Sequence, residues 1–196
     1  MNDAAALPTG GIDRVLIVCS ANQCRSPLGA AVLARRLRER ALLVAVASVG
    51  TQAVPESQAT PPTVAAAGAI GLDLAPHRSR LASADMVQTA DLILGMERHH
   101  VREAVLLDPR VFSRTFTLKE LVRRGTDVGA RPEGEPGATW LARVHEGRRS
   151  IDLVGSSPAD DVADPTINRM IDHGAMATEI DELMGELVNL VWPGPG

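Results

Sequence analysis

A cysteine and an arginine near the start of the chain have the spacing of an oxyanion-binding loop. Cys19 and Arg25 are separated by five residues, and Ser26 and Pro27 follow at once, which gives the pattern C-x5-R-S-P. A cysteine thiolate is a strong nucleophile, and a guanidinium holds two oxygens of a tetrahedral anion at once, which a lysine ammonium does less well. These residue types predict attack by Cys19 on an oxyanion that Arg25 holds.

The elements around this loop should point its backbone amides at the anion. Residues 14–19 (RVLIVC) are a short apolar run, typical of a strand buried on both faces. An apolar stripe predicts a helix over 26–40, with Pro27 in the first turn, where its missing N–H costs nothing. Free amides and the positive end of the helix dipole would stabilise a thiolate and cradle the oxyanion. The predicted anion-binding residues are Ser20, Ala21, Asn22, Gln23, Cys24, Arg25 and Ser26.

The rest of the chain alternates between predicted strands and helices. Further strands are predicted over 42–49, 92–96 and 111–116, and helices over 61–69, 83–89, 97–106, 118–124, 139–150 and from Pro165 onwards. Such alternation predicts an α/β fold, in which a parallel sheet is covered by helices on both faces. The ligand site of such a sheet lies at the carboxyl ends of its strands, which is where Cys19 stands.

Length and composition predict one globular domain. The chain has 196 residues, of which 45% are apolar and 22% charged. At roughly 150 residues per domain, this length leaves room for one domain with tails or an insertion. We expect a flexible N-terminal tail over 1–12, the domain over 13–192 and a C-terminal tail over 193–196. Residues 125–150 begin with a run rich in glycine and proline and are predicted to form a loop and helix insertion.

Charge and cysteine content disfavour several classes of partner. The 24 acidic and 20 basic residues give a net charge of −4, which offers no overall attraction to nucleic acid or to an anionic membrane. Two cysteines are too few for a disulfide framework, which favours a reducing compartment. The N-terminal residues do not resemble a secretory signal, and no apolar stretch approaches the roughly 18 residues of a membrane span. We therefore expect a cytoplasmic protein.

Four segments of the chain resemble the low-molecular-weight protein tyrosine phosphatase family. Residues 18–27, V-C-x-x-N-x-C-R-S-P, are similar to the phosphate-binding loop of that family. Residues 48–51 (SVGT) are similar to its Ser-Ala-Gly-Thr turn, 76–80 (PHRSR) to its His-x-x-Arg segment, and 94–98 (LGMER) to a strand end with Met-Glu. The resemblance covers most of 14–192 except the insertion, and it implies a flavodoxin-like, four-stranded parallel sheet.

The resemblance implies a phosphatase mechanism with a phosphocysteine intermediate. Cys19 would be the nucleophile, Arg25 and the loop amides would hold the phosphoryl group, and Ser26 would hydrogen-bond the departing thiolate. The residues implied to hold the loop in shape are Asn22, Ser26, Ser48 and His77. Neither a metal nor another cofactor is implied. The implied substrate is a phosphotyrosine-containing protein, with a tyrosine kinase as a candidate partner, and we expect a monomer or a weak dimer.

A late Asp-Pro pair supplies the general acid of the family, and this chain has two candidates for it. Asp164-Pro165 follows all four predicted strands and precedes the last helix, as the acid of the family does. Asp108-Pro109 follows a helix and enters a strand, where a turn-forming role is expected. Asp164 is therefore the predicted acid and base, with helix capping as its alternative role. We expect Asp160 and Asp161 to be solvated neighbours.

Three residues leave the identity of the phosphorylated substrate undecided. Ala21 stands where the family usually has glycine, and Thr166 stands where an aromatic residue commonly follows Asp-Pro. Without that ring, a phosphotyrosyl group loses a flanking surface. Gln23 could hydrogen-bond a polar leaving group, as a threonine does in the protein-arginine phosphatase branch, so that branch is an alternative.

Two other functions are also alternatives. A thiol-linked arsenate reductase has the same fold and the same kind of loop. No cysteine follows Cys24, which disfavours a thioredoxin-coupled reductase and leaves one that uses a low-molecular-weight thiol. A non-catalytic phosphate-binding module would keep Cys19 and Arg25 but lack turnover because Asp164 is misplaced.

The remaining reactive side chains lead to two further expectations. Cys19 and Cys24 are close enough within one loop to predict a reversible disulfide that protects the nucleophile from overoxidation. His99 and His100 should point about 100° apart on a predicted helix, without a third ligand at a useful spacing. We expect them to be surface residues and not a metal site.

Overall fold

The fold is a parallel sheet of four strands with helices on both faces, which confirms the predicted α/β, flavodoxin-like class. The computed structural model describes residues 11–166 and 172–193. Its strands are β1 (Arg14–Cys19), β2 (Ala45–Gly50), β3 (Leu92–Gly95) and β4 (Thr115–Thr117), in the order β2-β1-β3-β4 with all neighbours parallel. Its helices are α1 (Arg25–Glu39), α2 (Pro61–Ala69), α3 (Ala84–Thr89), α4 (Arg98–Leu107), α5 (Leu118–Val128), α6 (Gly137–His145) and α7 (His173–Val191). Short 3-10 helices span Pro109–Arg114 and Ser150–Leu153.

Each face of the sheet has its own apolar core, because β1 alternates its side chains between the two faces. Ile17 faces the larger core, which α1, α5 and α7 cover. Leu16 and Val18 face a smaller core that includes residues of α3 and α4. The apolar run predicted as a strand is therefore buried on both sides. In residues 11–166 and 172–193, no helix has the length and apolarity needed to cross a membrane.

The strand order brings the loops after β1 and β3 together. β1 lies between β2 and β3, so the order of the strands reverses there and a crevice opens at the carboxyl ends of β1 and β3. Cys19 ends β1, and the N–H of Met96, just after β3, donates to the Val18 carbonyl oxygen (2.9 Å). The topology therefore places the C-x5-R loop against the start of α4.

The predicted fourth strand is wrong over most of its length. Residues 109–114 form a 3-10 helix, and the strand is confined to Thr115–Thr117. The side chain of Asp108 accepts a hydrogen bond from the Arg110 N–H (3.0 Å), which starts the tight turn. Val111 is buried all the same, and a short apolar run does not distinguish a buried turn of helix from a strand.

The last helix begins later than predicted. α7 starts at His173, where the Asp172 side chain caps it by accepting from the Ala175 N–H (2.8 Å). Pro165 lies in a turn before it. The predicted helical residues 167–171 lie outside the described part of the chain.

The segment predicted as an insertion packs against the core. α5 extends to Val128, so the glycine-rich run begins as helix, and α6 is shorter than the predicted 139–150 helix. Trp140 of α6 is buried, and its indole N–H donates to the Gly129 carbonyl oxygen (2.9 Å). Arg131 Nε donates to the Val191 carbonyl oxygen at the end of α7 (2.7 Å). The exact boundaries of domain, insertion and tails stay predictions, although Ile12 of the predicted N-terminal tail is buried.

Candidate active site

The loop after β1 surrounds the sulfur of Cys19 with hydrogen-bond donors. The backbone N–H of Asn22 donates to Cys19 Sγ (3.2 Å), and Ser26 Oγ lies 2.9 Å from the same sulfur. Cys19 has only 3% of its surface exposed, and α1 begins at Arg25, so the positive end of the helix adjoins the loop. Both neighbours can therefore donate a hydrogen bond to the sulfur.

Asn22 is the centre of a hydrogen-bond network that holds the loop. Its side-chain Nδ2 donates to Ser26 Oγ and to Ser48 Oγ, both at 2.9 Å. Its Oδ1 accepts from the Arg80 N–H (2.9 Å), and its carbonyl oxygen accepts from His77 Nε2 (2.7 Å). Asn22 is fully buried and has a φ of 55°, a conformation that asparagine tolerates better than most residues. The structure thus brings the four predicted network residues together and adds Arg80, which the sequence analysis did not assign to the site.

The protonation state of His77 suits its hydrogen bond to the Asn22 carbonyl oxygen. Burial lowers the pKa of His77 from its usual value, the hydrogen bond to Asn22 opposes that change, and the charges of Arg80 and Arg78 add to it. The ring is therefore neutral at pH 7. Since the Asn22 carbonyl can only accept, the proton of His77 lies on Nε2.

Gly50 at the end of β2 lies against the backbone of the loop, and alanine does not fit there. A Cβ at Gly50 would lie 2.8 Å from the Asn22 nitrogen, 2.9 Å from the Ala21 carbonyl carbon and still nearer the Ser20 oxygen. We expect Gly50→Ala to displace the loop, to lower kcat/KM for an aryl phosphate by about tenfold or more, and to cost about 1–3 kcal/mol of unfolding free energy. Steady-state kinetics and urea unfolding measure the two effects.

Gly68 on α2 is the matched control, because a Cβ there meets nothing within 4 Å. Gly68→Ala should keep wild-type kinetics and stabilise the helix by about 0.5–1 kcal/mol. A folded Gly50→Ala protein with wild-type kcat/KM would show that the loop does not depend on this close contact.

Arg25 is the last residue of the loop, and only 1% of its surface is exposed. Residues from outside the loop bind its guanidinium. Nη1 binds the Glu97 carboxylate and donates to the Val162 carbonyl oxygen (2.9 Å). Nη2 donates to Asp164 Oδ2 (2.7 Å). In the described residues Nε is buried and has no hydrogen-bond partner. A buried donor in an anion-binding loop can bind an oxygen of the ligand, as predicted from the spacing of Cys19 and Arg25.

The structure places Asp164 beside Arg25 and Asp108 elsewhere. Asp108 ends α4, starts the 3-10 helix and pairs with Arg110, which is the turn-forming role expected for it. α7, the described helix that follows Asp164, is capped by Asp172. Because residues 167–171 lie outside the described part of the chain, the capping alternative for Asp164 stays a prediction. Its Oδ2 binds Arg25, and its Oδ1 accepts from the Thr166 N–H (2.9 Å) and hydroxyl (2.6 Å).

The departures from the family's pattern fit the observed backbone. Ala21 does not have a positive φ, because the left-handed position of the loop falls on Asn22. Thr166 offers Asp164 a hydroxyl donor where a ring would offer apolar surface. Gln23 is partly exposed, and its carbonyl oxygen accepts from the Thr60 N–H at the start of α2 (3.0 Å). Alanine and threonine therefore leave the loop and the carboxylate in place.

Glu97 is a site residue that the sequence analysis quoted without giving it a role. Burial raises the pKa of Glu97, but hydrogen bonds from His99 and Arg25 outweigh burial and lower it to about 2. The carboxylate is therefore charged at neutral pH and balances Arg25. Glu97 and Arg25 are 72 residues apart in the sequence, so no local sequence pattern predicts that they pair.

The expectation that His99 and His100 are separate surface residues is wrong. His100 is fully buried, the two ring centroids are 3.8 Å apart, and His99 Nδ1 lies 3.2 Å from the Glu97 carboxylate. The start of α4 packs against the loop after β1, where His100 Nε2 lies 3.0 Å from Ser20 Oγ. The spacing of residues along a helix does not show which of its faces is covered by another part of the chain, here the loop after β1.

Glu97, His99 and His100 still make a poor metal site. They are the group found among the described residues whose ligand atoms all lie within 4.8 Å of one another. Burial lowers the pKa of His100 to about 2, and the charges of His99 and Arg25 contribute, so its ring is neutral. The Glu97 N–H donates to His100 Nδ1 (3.0 Å), which leaves the proton on Nε2 and removes the lone pair that a metal would need.

Cys24 faces away from the chemistry of the loop. Its Sγ accepts from the Thr63 hydroxyl (3.1 Å) and lies 3.5 Å from the sulfur of Met176. Burial raises the pKa of the Cys24 thiol to about 11, although the hydrogen bond from Thr63 opposes the change. Cys24 is therefore a protonated packing residue in this state. Both thiols are free, and their predicted reversible disulfide stays a prediction.

Asp160 and Asp161 are not the solvated neighbours expected from the sequence. Asp160 is buried and pairs with Arg98 and Arg123. Asp161 accepts from the backbone N–H groups of Arg98 (2.8 Å) and Ser157 (2.7 Å). Both carboxylates instead hold the segment that leads to Asp164.

Comparisons with known proteins identify the family. The family described as low molecular weight phosphotyrosine protein phosphatase matches residues 14–129. The low molecular weight protein-tyrosine-phosphatase Etp of Escherichia coli K12 is 34% identical over 102 residues, which are 52% of this chain and 66% of that protein. This match thus spans slightly less than two thirds of the length of Etp. The protein-arginine-phosphatase of Geobacillus stearothermophilus is 34% identical over 140 residues, which are 71% of this chain and 91% of that protein.

A solved structure agrees with these matches. It is a cysteine-to-serine mutant of the YwlE arginine phosphatase with a phosphorylated active-site serine. It is 26% identical in sequence, has a TM-score of 0.65, and the match covers 90% of this chain and 93% of that chain. The matched segment, the identity to the relative from G. stearothermophilus over most of its length, and the shared fold lead to one conclusion. The chain belongs to the low molecular weight protein tyrosine phosphatase family.

Proposed function

We propose that this protein is a phosphoprotein phosphatase that hydrolyses phosphotyrosine monoesters through a phosphocysteine at Cys19. The observation that carries the proposal is the arrangement of Cys19 Sγ, the free Nε of Arg25 and the Asp164 carboxylate around one loop. Family membership supports it. The phosphorylated active-site serine of the YwlE mutant supports a covalent intermediate on the active-site nucleophile, which is Cys19 in this proposal.

The first step forms the phosphocysteine. The Cys19 thiolate attacks phosphorus in line, a sulfur–phosphorus bond forms, and the bond between phosphorus and the leaving oxygen breaks. Arg25 and the loop amides hold the three equatorial oxygens, on which charge accumulates. Asp164, protonated before the step, gives its proton to the leaving oxygen. A phosphate on Arg25 would take over the Nη2 hydrogen bond and release Asp164 for this transfer.

The second step regenerates the thiolate. Asp164, now a carboxylate, takes a proton from water, the water oxygen attacks phosphorus, and the sulfur–phosphorus bond breaks. The hydroxyl of Ser26, 2.9 Å from Cys19 Sγ, donates to the departing sulfur and stabilises its charge. The Asn22 network keeps Ser26 and the loop amides in place during both steps.

Asp164→Asn should impair the reaction in proportion to how poor the leaving group is. We expect kcat/KM for a phosphotyrosine peptide to fall by about 10²–10³, because asparagine cannot supply the proton. For 2,4-dinitrophenyl phosphate, whose leaving group needs no proton, the fall should be less than about tenfold. The control is Asp108→Asn, in the other Asp-Pro pair, which should keep wild-type kinetics. Equal losses on both substrates would contradict the acid role of Asp164.

The protein-arginine phosphatase reading is a second candidate. Thr166 gives Asp164 a hydroxyl partner and leaves no aromatic ring after Asp-Pro, and the relative from G. stearothermophilus carries that name. Hydrolysis of matched phosphotyrosine and phosphoarginine peptides by the reduced protein, with a chelator present, distinguishes the two. If the folded, reduced protein hydrolyses neither peptide nor p-nitrophenyl phosphate, the phosphatase proposal fails, and arsenate reduction with a thiol donor is the next assay.

The reaction also bears on partners and location. A phosphorylated protein is the proposed partner, and a phosphotyrosine protein such as a tyrosine kinase is the specific candidate. Since a thiolate at Cys19 is needed in every cycle, we expect the protein to work in a reducing compartment such as the cytoplasm.

A further inference from the structure

The loop that leads to Asp164 is fastened to the first turns of α4. The Arg98 side chain donates to Asp160 Oδ2 from Nε (2.8 Å) and pairs with it through Nη2 (2.7 Å). The Arg98 backbone N–H donates to Asp161 Oδ1 (2.8 Å). One turn further along, Arg102 Nη1 donates to the carbonyl oxygens of Leu153 and Gly155. Two arginines of α4 thus hold the whole approach to the acid.

Asp160 is the buried end of this attachment. Only 5% of its surface is exposed, and its other oxygen, Oδ1, accepts from Arg123 Nη2 of α5 (2.7 Å). Burial raises the pKa of Asp160, but hydrogen bonds from Arg123 and Arg98 outweigh it, so the net change is a lower pKa. A buried carboxylate is stable only while its partners stay in place, so the segment cannot easily leave α4.

The segment from Asp160 to Asp164, called the acid segment below, runs from this attachment to the catalytic loop. At its middle, the Val162 N–H donates to the Met96 carbonyl oxygen (2.7 Å) just after β3. The Val162 carbonyl oxygen accepts from Arg25 Nη1 (2.9 Å). The segment is therefore fixed to α4 at its start and to the phosphate loop at its centre, and Asp164 is at its end.

We propose that Arg98 is a positioning residue whose side chain sets, through Asp160, the place from which Asp164 transfers its proton. The inference rests on the proposed phosphatase function. Proton transfer requires hydrogen-bond distance to the leaving oxygen, whereas phosphate binding depends on the Cys19 to Arg25 loop. The side chain of Arg98 donates instead to Asp160 and to the Val154 carbonyl oxygen. A small displacement of the acid segment therefore slows leaving-group departure and leaves phosphate binding unchanged.

The test is the dependence of kcat/KM on the leaving group. For Arg98→Ala we expect a loss of about tenfold with a phosphotyrosine peptide and less than about twofold with 2,4-dinitrophenyl phosphate, with inhibition by inorganic phosphate unchanged. Asp160→Asn, which keeps the shape of the side chain, should show the same pattern. Arg98→Lys keeps the charge but lacks the planar fork, so it should lie between Arg98→Ala and the wild type.

Arg149→Ala is the control, because Arg149 is 74% exposed and forms an ion pair only three residues along the chain, with Asp152. It should keep wild-type kinetics on both substrates. Equal losses on the two substrates for Arg98→Ala and Asp160→Asn would show a general structural role and overturn the inference, as would wild-type kinetics in both. A wild-type protein that hydrolyses no phosphate ester would overturn the phosphatase function itself. A leaving-group effect seen in Asp164→Asn but absent from the Arg98 variants would overturn only the positioning role.

Discussion

Replacing Cys19 with serine removes multiple turnover on every phosphate ester, with an expected loss of at least about 10⁴-fold in kcat. A serine hydroxyl is a weak nucleophile unless a base takes its proton. The groups hydrogen-bonded to Cys19 Sγ are the Asn22 N–H and the Ser26 hydroxyl, and neither is a base. These neighbours therefore offer a serine hydroxyl at this position no base that would take its proton. Hydrolysis of p-nitrophenyl phosphate with a chelator present measures the loss.

The same variant separates chemistry from binding. Serine is close in size to cysteine and preserves the loop, so Cys19→Ser should still bind inorganic phosphate, which isothermal calorimetry detects. Slow transfer of a single phosphoryl group to the new serine fits the proposal, as in the phosphorylated YwlE mutant. Cys24→Ala should retain cysteine-dependent turnover, because Cys24 contacts Thr63 and Met176 and not the sulfur of Cys19. Sustained turnover by Cys19→Ser would end the proposal of a phosphocysteine.

The part of the site that lies within one loop was predictable from the sequence. Cys19, Arg25 and Ser26 are within eight residues of one another, between a strand and a helix whose apolar patterns are clear. In a parallel sheet, the end of the first strand is a ligand site by topology alone. Resemblance to a family then added Asn22, Ser48 and His77, which the structure brings together.

The contacts between distant segments were not predictable. Glu97 pairs with Arg25, and Asp160 pairs with Arg98, across 72 and 62 residues respectively. Single acidic residues in a loop look solvated in a sequence, because burial depends on which arginine the fold brings to them. His100 was misread for the same reason, since the loop after β1 covers the face of α4 on which it lies.

The error in the fourth strand shows the limit of apolar patterns. Val111 and Phe116 are both fully buried, yet Val111 lies in a 3-10 helix and Phe116 in a strand. Burial fixes which residues are apolar, whereas the turn is set by Asp108 and Pro109 just before them. The placement of Asp164 shows the opposite case. Asp164 was preferred to Asp108 because of its position in the chain, after all four strands and before the last helix. The order of elements along the chain is read directly from the sequence, so this prediction did not depend on contacts between distant segments.

Arg25→Lys should lower kcat/KM for phosphate esters by about 10³-fold, the second of the two largest effects that we expect. Arg25 offers a planar fork whose Nε is free and whose Nη2 is shared with Asp164, and lysine offers a single point charge. Loss of one positioned donor to a transition-state oxyanion costs about 10²–10³ in kcat. The ammonium also cannot hold Val162 and Asp164 together, so the position of the acid suffers as well.

Lysine is the informative replacement because it keeps a positive partner for the partly buried Glu97 carboxylate, whereas alanine would remove the arginine that balances this charge and destabilise the fold. Urea unfolding of Arg25→Lys should therefore show a folded protein, and the loss should appear in kcat/KM and in weaker inhibition by inorganic phosphate. A loss confined to phosphotyrosine peptides, with normal phosphate inhibition, would mean that Arg25 acts only by holding the acid segment. A folded Arg25→Lys protein with kcat/KM within tenfold of the wild type would show that charge alone suffices, and that the fork geometry of Arg25 is not what binds the transferred phosphoryl group.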